Sequence, residues 1–112
     1  MTEKFLSRPE EIVLLAVWKL KDNAYGTAIR DLIQNMTGKY WSVGAIYVPL
    51  ERLEKKGMLQ SSICPPRKEI GGRRKRLFRV TEAGITELDV LKRMQTVLWL
   101  GYPAWTSEEG QG

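Results

Sequence analysis

The residues of this sequence that could do chemistry are cationic ones, and they are concentrated in one short segment. Between Arg67 and Arg79, seven lysines and arginines are opposed by one acidic residue, Glu69. This local surplus exceeds the net charge of +5 of the whole chain. Such a segment can neutralise nucleic-acid phosphates and release their counterions, or it can be an ordinary solvated surface. Its cationic members are Arg67, Lys68, Arg73, Arg74, Lys75, Arg76 and Arg79.

The residue types that most enzymes and metal sites need are missing. The chain has no histidine and a single cysteine, Cys64. It therefore lacks the usual general base near neutral pH, a zinc ligand set and any intramolecular disulfide. The sequence also contains no nucleophile-elbow or phosphate-loop motif. We expect a protein that is not an enzyme and takes no metal or cofactor, in which Cys64 is either inert or redox-sensitive.

Composition and hydropathy indicate one soluble domain. The 112 residues are 43% hydrophobic and 28% charged, which is ordinary for a globular protein. The first eight residues lack the apolar run of a signal peptide. The longest apolar stretch, residues 12–18, is too short to span a bilayer. These features favour a cytoplasmic protein that has no membrane partner.

Three helices are predicted ahead of the basic segment. The first begins near Ser7, which forms a capping box with Glu10. The second covers about residues 25–36, where apolar side chains recur at helical spacing. The third runs from Ser42 as N-cap to Gly57, with one apolar face that we expect to be buried. That face consists of Ile46, Leu50 and Leu53.

A β-hairpin that carries the basic segment at its tip is predicted to follow. Two β-prone runs, residues 58–64 and 76–80, flank a turn that contains Gly71 and Gly72. Three helices followed by a hairpin are the order of a winged helix-turn-helix, whose third helix enters the major groove. We therefore predict a mainly α fold with a small β-hairpin, in which residues 1–80 form the winged helix-turn-helix.

The last predicted helix has an apolar seam that nothing else in the chain can cover. It begins at Thr81, and its apolar residues recur at spacings of three and four. The first helix is also apolar on most faces. We therefore predict that residues 81–101 form a C-terminal dimerisation helix and that residues 102–112 form a flexible tail. The predicted interface residues are Val13, Val17, Leu88, Leu91, Met94 and Leu98.

Five segments resemble, in order and spacing, the PadR family of winged-helix transcriptional regulators. They are Tyr25-Gly26, SVGAIY at 42–47, LERLEKKG at 50–57, GGRR at 71–74 and TEAG at 81–84. The resemblance covers roughly residues 12–91, and the single last helix is similar to the short subgroup. It implies a homodimeric DNA-binding regulator, usually a repressor, which we expect to act on a pseudo-palindromic operator. The chain departs from the family pattern at Val43, Ala45, Val48 and Pro49.

The resemblance and the helix pattern together nominate the DNA-binding residues. Tyr25 would donate its hydroxyl to a phosphate or pack in the core, and Ser42 would cap its helix, bind a phosphate or do both. Tyr47 is predicted on the outward face of the third helix. Arg52 could reach DNA or pair with neighbouring glutamates. The full set is Tyr25, Lys39, Ser42, Val43, Ala45, Tyr47, Arg52, Arg73, Arg74 and Lys75.

Two tryptophans, Trp18 and Trp99, are candidates for an effector site. Some short members of the family bind flat, apolar drugs between tryptophans at the dimer interface, so the resemblance implies a small apolar or aromatic effector. The alternative is that Trp99 only packs in the interface. For the whole chain, the alternative is a winged-helix protein-interaction module that does not bind DNA. That module would carry an apolar patch on the outward face of the third helix, where the sequence instead places Tyr47, Arg52 and Lys55.

Overall fold

A computed structural model describes residues 5–64 and 75–103, and these residues confirm the predicted order of helices and hairpin. Within them lie four α-helices and one two-stranded antiparallel sheet. A short 3₁₀ turn, Lys21–Asn23, joins the first two helices. The elements are α1 Arg8–Leu20, α2 Gly26–Thr37, α3 Val43–Lys55, β1 Leu59–Cys64, β2 Lys75–Val80 and α4 Glu82–Leu98.

The capping box predicted at the start of α1 is present. The Ser7 N–H donates to Glu10 Oε1 at 2.8 Å, and the Glu10 N–H donates to Ser7 Oγ at 3.3 Å. Together these bonds satisfy backbone and side-chain groups that a helix end otherwise leaves unpaired. The helix then buries one face in the core of its own chain, through Val13, Leu14, Ala16 and Val17.

Helices α2 and α3 form the helix-turn-helix. Gly38 ends α2 in the left-handed conformation, with φ of 74°. Ser42 then caps α3, because its Oγ accepts the Ala45 N–H at 3.1 Å. The predicted inner face of α3 is confirmed, since Ile46, Leu50 and Leu53 are fully buried.

The hairpin is attached to the connection between α1 and α2. Leu59 pairs with Val80 at its base, and Cys64 pairs with Lys75 toward the tip. The Phe78 N–H donates to the Ala24 carbonyl at 2.8 Å, so β2 also bonds to this connection. The segment between the strands, residues 65–74, lies outside the described residues, and with it Arg73 and Arg74.

Helix α4 begins directly against the turn between α3 and β1. Thr81 Oγ1 donates to the Gly57 carbonyl at 2.6 Å and accepts the Gly84 N–H at 3.1 Å. A Cβ on Gly84 would collide with the Met58 carbonyl oxygen and with Val80. Glycine is therefore the one residue that lets α4 begin this close to the turn.

Beyond its first turn, α4 has little cover from its own chain. Gly84 is its one buried residue, and large apolar side chains near its end are strongly exposed. These include Val97, Leu98, Trp99 and Leu100. None of the helices in the described residues has the length and hydropathy that crossing a membrane requires.

Candidate nucleic-acid interface

The outward face of α3 is the surface that this fold presents beside its hairpin. A helix repeats every 3.6 residues, so the residues opposite Ile46, Leu50 and Leu53 form a strip along its exposed side. Val48 lies near the middle of that strip with 52% of its surface exposed. The exposed members of the strip are Gly44, Ala45, Val48, Glu51, Arg52 and Lys55.

The turn that leads into α3 adds polar and aromatic groups to this surface. Lys39 and Ser42, both nominated from the sequence, are exposed there, and Val43 is half-buried. Tyr40 is 68% exposed beside them. The sequence pattern did not identify Tyr40, although an aromatic residue next to Lys39 just before a helix cap could have indicated it. Backbone N–H groups at such a helix start also favour a phosphate.

The prediction that Tyr47 faces outward is wrong. Its ring is half-buried, with its centroid 6.1 Å from that of Phe78. A Cβ on Gly26 would lie 2.9 Å from the Tyr47 hydroxyl oxygen, so the absent side chain makes room for this ring. Tyr47 points to the flank of α3 that β2 and α2 cover, because burial of its ring outweighs exposure. In the tyrosine-glycine pair, Gly26 therefore leaves the space in which the ring of Tyr47 packs.

Tyr25, the other residue of that pair, stands at the start of α2. It occupies the N-cap position and is half-buried. Its backbone forms an isolated bridge with Leu77 of β2. This bridge places Tyr25 at the junction of α2 and the hairpin, beside the flank of α3 that Tyr47 occupies.

Arg76 is directed toward α3 and is held there by several contacts. Its Nη2 lies 2.6 Å from Glu54 Oε1 and its Nη1 lies 3.7 Å from Glu51 Oε2. Its Nε donates to Ser61 Oγ at 3.1 Å, and the Ser61 hydroxyl donates to Glu54 Oε2 at 2.8 Å. These contacts neutralise one of the positive charges that the sequence assigns to the hairpin.

The same contacts bear on the two alternatives that the sequence leaves open for Arg52. Glu51 and Glu54, the two glutamates that could have paired with it, face Arg76. Arg52 lies on the exposed strip of α3. Farther along β2, Arg79 lies 3.5 Å from Asp22, but both side chains are largely solvent-exposed and such a pair is weak. Lys75, the remaining described DNA candidate of the hairpin, is half-buried.

An ion pair between the buried Glu10 and the partly exposed Lys56 fixes the end of α3 to the start of α1. Glu10 is 3% exposed and accepts hydrogen bonds from Lys56 Nζ at 3.0 and 3.1 Å. Burial raises the pKa of Glu10, but the Ser7 N–H and the Lys56 ammonium outweigh burial and hold this pKa below its ordinary value. The two residues are 46 positions apart, and no local sequence pattern indicates their contact.

An apolar groove lies between α1 and α4. Leu15 and Trp18 contribute from α1, and Ile85, Leu88 and Leu91 contribute from α4. Its volume is about 510 Å³, and Asp89, Lys92 and Gln95 complete its lining. Met94 and Leu98 line an adjoining groove with Phe5 and Leu6. The α4 residues expected at a dimer interface therefore lie along two grooves that share Gln95 in their linings.

Two of the residues predicted for that interface are placed elsewhere. Val13 and Val17 are fully buried in the core of their own chain, so the prediction that they face a partner is wrong. The side of α1 that remains exposed carries Leu15 and Trp18. The run is apolar on several faces, and the face that packs inward carries Val13, Leu14, Ala16 and Val17.

The structure separates the two tryptophans proposed for an effector. Trp18 lines the groove, and Lys21 Nζ lies 3.9 Å from its ring centroid. Trp99 lies outside that lining, at the end of α4, where its Nε1 donates to Gln95 Oε1 at 2.9 Å. Its ring also meets Tyr102 edge-on, with centroids 5.1 Å apart. Within the described residues, the groove that Trp18 lines therefore does not include Trp99.

Acidic and cysteine side chains do not form a metal site in the described part of the chain. Among residues 5–64 and 75–103, no three metal-ligating side chains come together. The surface of α3 itself offers cations, helix-terminal N–H groups and apolar contacts.

Comparison with a family model and with solved structures gives matches to transcriptional regulators. The model of the PadR-like family of transcriptional regulators matches residues 14–90. A PadR family regulator from Clostridium difficile R20291 superposes with a TM-score of 0.67 at 21% identity, covering 82% of this chain and 91% of that one. A PadR family regulator from Eggerthella lenta DSM 2243 gives 0.64 at 25% identity, covering 78% and 73%. A Streptococcus transcriptional regulator gives 0.68 at 21%, covering 86% and 91%. A search of curated proteins gave no match.

Proposed function

Because this chain belongs to the PadR-like family of transcriptional regulators, we propose that it represses transcription by binding a pseudo-palindromic operator as a homodimer. The family match makes it a DNA-binding transcription regulator and not an enzyme. The repressor role, the dimer and the form of the operator are the parts that this proposal adds. A transcription regulator must reach chromosomal DNA, so we also propose a cytoplasmic location.

The observation that carries the proposal is the outward strip of α3. It leaves Arg52 and Lys55 exposed, and Lys39 stands at the helix start. In a helix-turn-helix, the N-terminal residues of the recognition helix contact base edges in the major groove, while surrounding cations contact phosphates. Arg73 and Arg74 would add hairpin contacts to phosphates or to a narrow minor groove.

The proposed homodimer is supported by the groove and the exposed end of α4. Leu88 and Leu91 are half-covered by their own chain, while Leu98 is 68% exposed. Apolar surface of this extent is stabilised when a second copy covers it. Two recognition helices would then meet half-sites whose centres lie one helical turn of DNA, about 34 Å, or a multiple of it apart.

The effector proposal follows from the same groove. A small apolar or aromatic molecule would pack on Trp18 and the apolar side chains of α4. Trp99 could join such a site only from the second copy. The molecule would change DNA affinity only by preferring one arrangement of the two copies over another.

The direct test is fluorescence anisotropy of duplexes selected from a random library, measured at several salt concentrations. We expect sequence-preferring binding whose log–log salt slope is roughly −5 to −9, if about 6–10 phosphates are neutralised. In Arg73→Ala/Arg74→Ala, the slope should become shallower by about one unit for each phosphate that the hairpin no longer neutralises. Lys19→Ala removes an exposed charge from α1 and serves as the control.

The outcomes separate the two functions considered. Equal affinity for every duplex would reduce the protein to a non-specific binder. Failure to bind any duplex would overturn the regulator proposal in favour of the protein-interaction module. An unchanged slope in Arg73→Ala/Arg74→Ala would remove the hairpin tip from the interface while leaving α3 in it.

A further inference from the structure

The N-terminal half of the α3 strip consists of side chains that can neither donate nor accept a hydrogen bond. Gly44, Ala45 and Val48 are all exposed there, while Arg52 and Lys55 lie one to two turns later. Val48 is at the centre of the strip and more than half exposed. Its exposure is not the result of a loose helix, since Pro49 and Leu50 beside it are buried.

Gly44, one turn before Val48, leaves open space on the same strip. A Cβ added to it would meet nothing nearer than Ser42 Oγ, at 4.0 Å. The chain's own packing therefore does not require glycine at this position, and its φ is not in the left-handed region. A missing side chain at that point allows another molecule to approach the helix backbone closely.

From these observations we propose that Val48, with Ala45 beside it, recognises the 5-methyl group of thymine in the major groove. The proposal rests on the proposed function, because it assumes that α3 enters that groove. Base edges in the major groove carry hydrogen-bond donors and acceptors, and the thymine methyl is their one apolar feature. A valine cannot satisfy the polar groups, but it can pack on the methyl.

The arrangement also predicts the order of bases in a half-site. Val48 and Ala45 contact thymine methyls near the N-terminal end of α3. Arg52, about one turn farther along the same strip, is placed for a polar contact with guanine, the base that arginine binds most often. A half-site should therefore contain thymine flanked on one side by guanine.

Replacing thymine by uracil tests the proposal, because the two bases differ only by the methyl group. Starting from the selected duplex, each thymine of one half-site is replaced in turn and the affinity is measured by anisotropy. We expect one or two positions where wild type binds the uracil duplex roughly fourfold more weakly, as expected for one buried methyl. In Val48→Ala, this ratio should fall close to one at the position that Val48 contacts, while a position contacted by Ala45 keeps its ratio.

Met36→Ala is the matched control, since Met36 is an exposed apolar residue of α2 and not a member of the strip. It should keep the wild-type ratio of thymine to uracil affinity. Circular dichroism and an unchanged salt slope would show that Val48→Ala is folded and still bound through phosphates. Equal affinity for thymine and uracil at every position overturns the proposal, and so does a ratio that persists in Val48→Ala at every position where the wild type shows it. If the wild type shows no sequence preference, the proposed function is overturned instead, and this proposal with it.

Discussion

Single residues at the helix junctions decide how the elements that we propose to face DNA are held. Glu10 is the clearest case, since one buried carboxylate completes the capping box of α1 and binds Lys56 at the end of α3. Glutamine at this position removes the charged partner of Lys56, while its amide oxygen can still accept the Ser7 N–H. Lys56, which is partly exposed, can recover water. We expect Glu10→Gln to lower the free energy of unfolding by about 1–3 kcal/mol, measured by urea denaturation.

The pH dependence of stability should follow from the same residue. Its pKa is lower in the folded chain than the ordinary 4.5, so the folded state favours the ionised form. Its stabilising contribution is therefore complete above pH 4.5 and is lost as the pH falls through the lowered pKa. The difference in unfolding free energy between wild type and Glu10→Gln should shrink as the pH drops below about 4.5. A difference that is constant down to the acid transition would contradict this assignment.

Two glycines give opposite predictions because their surroundings differ. Alanine at Gly84 would place its Cβ against the Met58 carbonyl, and backbone cannot yield as a side chain can. We expect Gly84→Ala to destabilise the fold by about 1–3 kcal/mol. Gly44→Ala meets open space in a helix, so it should stabilise by up to about 1 kcal/mol. Thermal or urea unfolding of both variants checks the pair, and equal effects would contradict the packing at Gly84.

At the scale of elements, the hairpin and α3 are joined by Arg76. Its contacts to Glu54, Glu51 and Ser61 fix the angle between the two elements that are expected to contact DNA. Arg76→Met should therefore weaken operator binding several-fold without changing the number of DNA phosphates that the protein neutralises. The salt slope should remain at the wild-type value, whereas the loss of one contact to a DNA phosphate would make the slope shallower by about one unit.

The control for Arg76→Met is Arg79→Met in the same strand, whose pair with Asp22 is exposed. It removes an equal charge without releasing the hairpin from α3. A shallower slope in Arg76→Met would show that the guanidinium contacts a phosphate, and the positioning role would be wrong.

The ends of helices, which depend on local signals, were predictable from the sequence. Which side of a helix is buried depends on elements far along the chain, and this was not predictable. Ser7, Ser42 and Thr81 each cap a helix where the sequence places the cap, because capping involves residues only three positions apart. Tyr47 was misassigned because a helix with several apolar or aromatic sides does not indicate which side has cover. That cover comes from Phe78, 31 positions later in the chain.

The candidate site divides in the same way. Arg52 and the start of α3 follow from helical periodicity, and the structure places them on the exposed side. The neutralisation of Arg76 by Glu54 requires knowing that β2 returns alongside α3, which no local pattern contains. Counting charges in the hairpin therefore overstated how many of them face outward.

At the scale of the whole molecule, the exposed half of α4 predicts association of two copies. Leu91 lies in the groove with Trp18, where a charged side chain would have to be buried by a partner. We expect the wild type to sediment as a dimer at micromolar concentration and Leu91→Lys to sediment near the monomer mass of 12.9 kDa. Because Leu91 is only half-buried in its own chain, this variant should keep its helix content.

Loss of the dimer should also lower the affinity for DNA. A monomer brings one recognition helix to one half-site, so Leu91→Lys should bind a full operator no more tightly than an isolated half-site. Ile63→Lys provides the control, because it places the same charge on an exposed apolar residue of β1, away from α4. It should sediment as the wild type does. A dimeric Leu91→Lys would show that the two copies meet through another surface, and the groove would then be left to the effector alone.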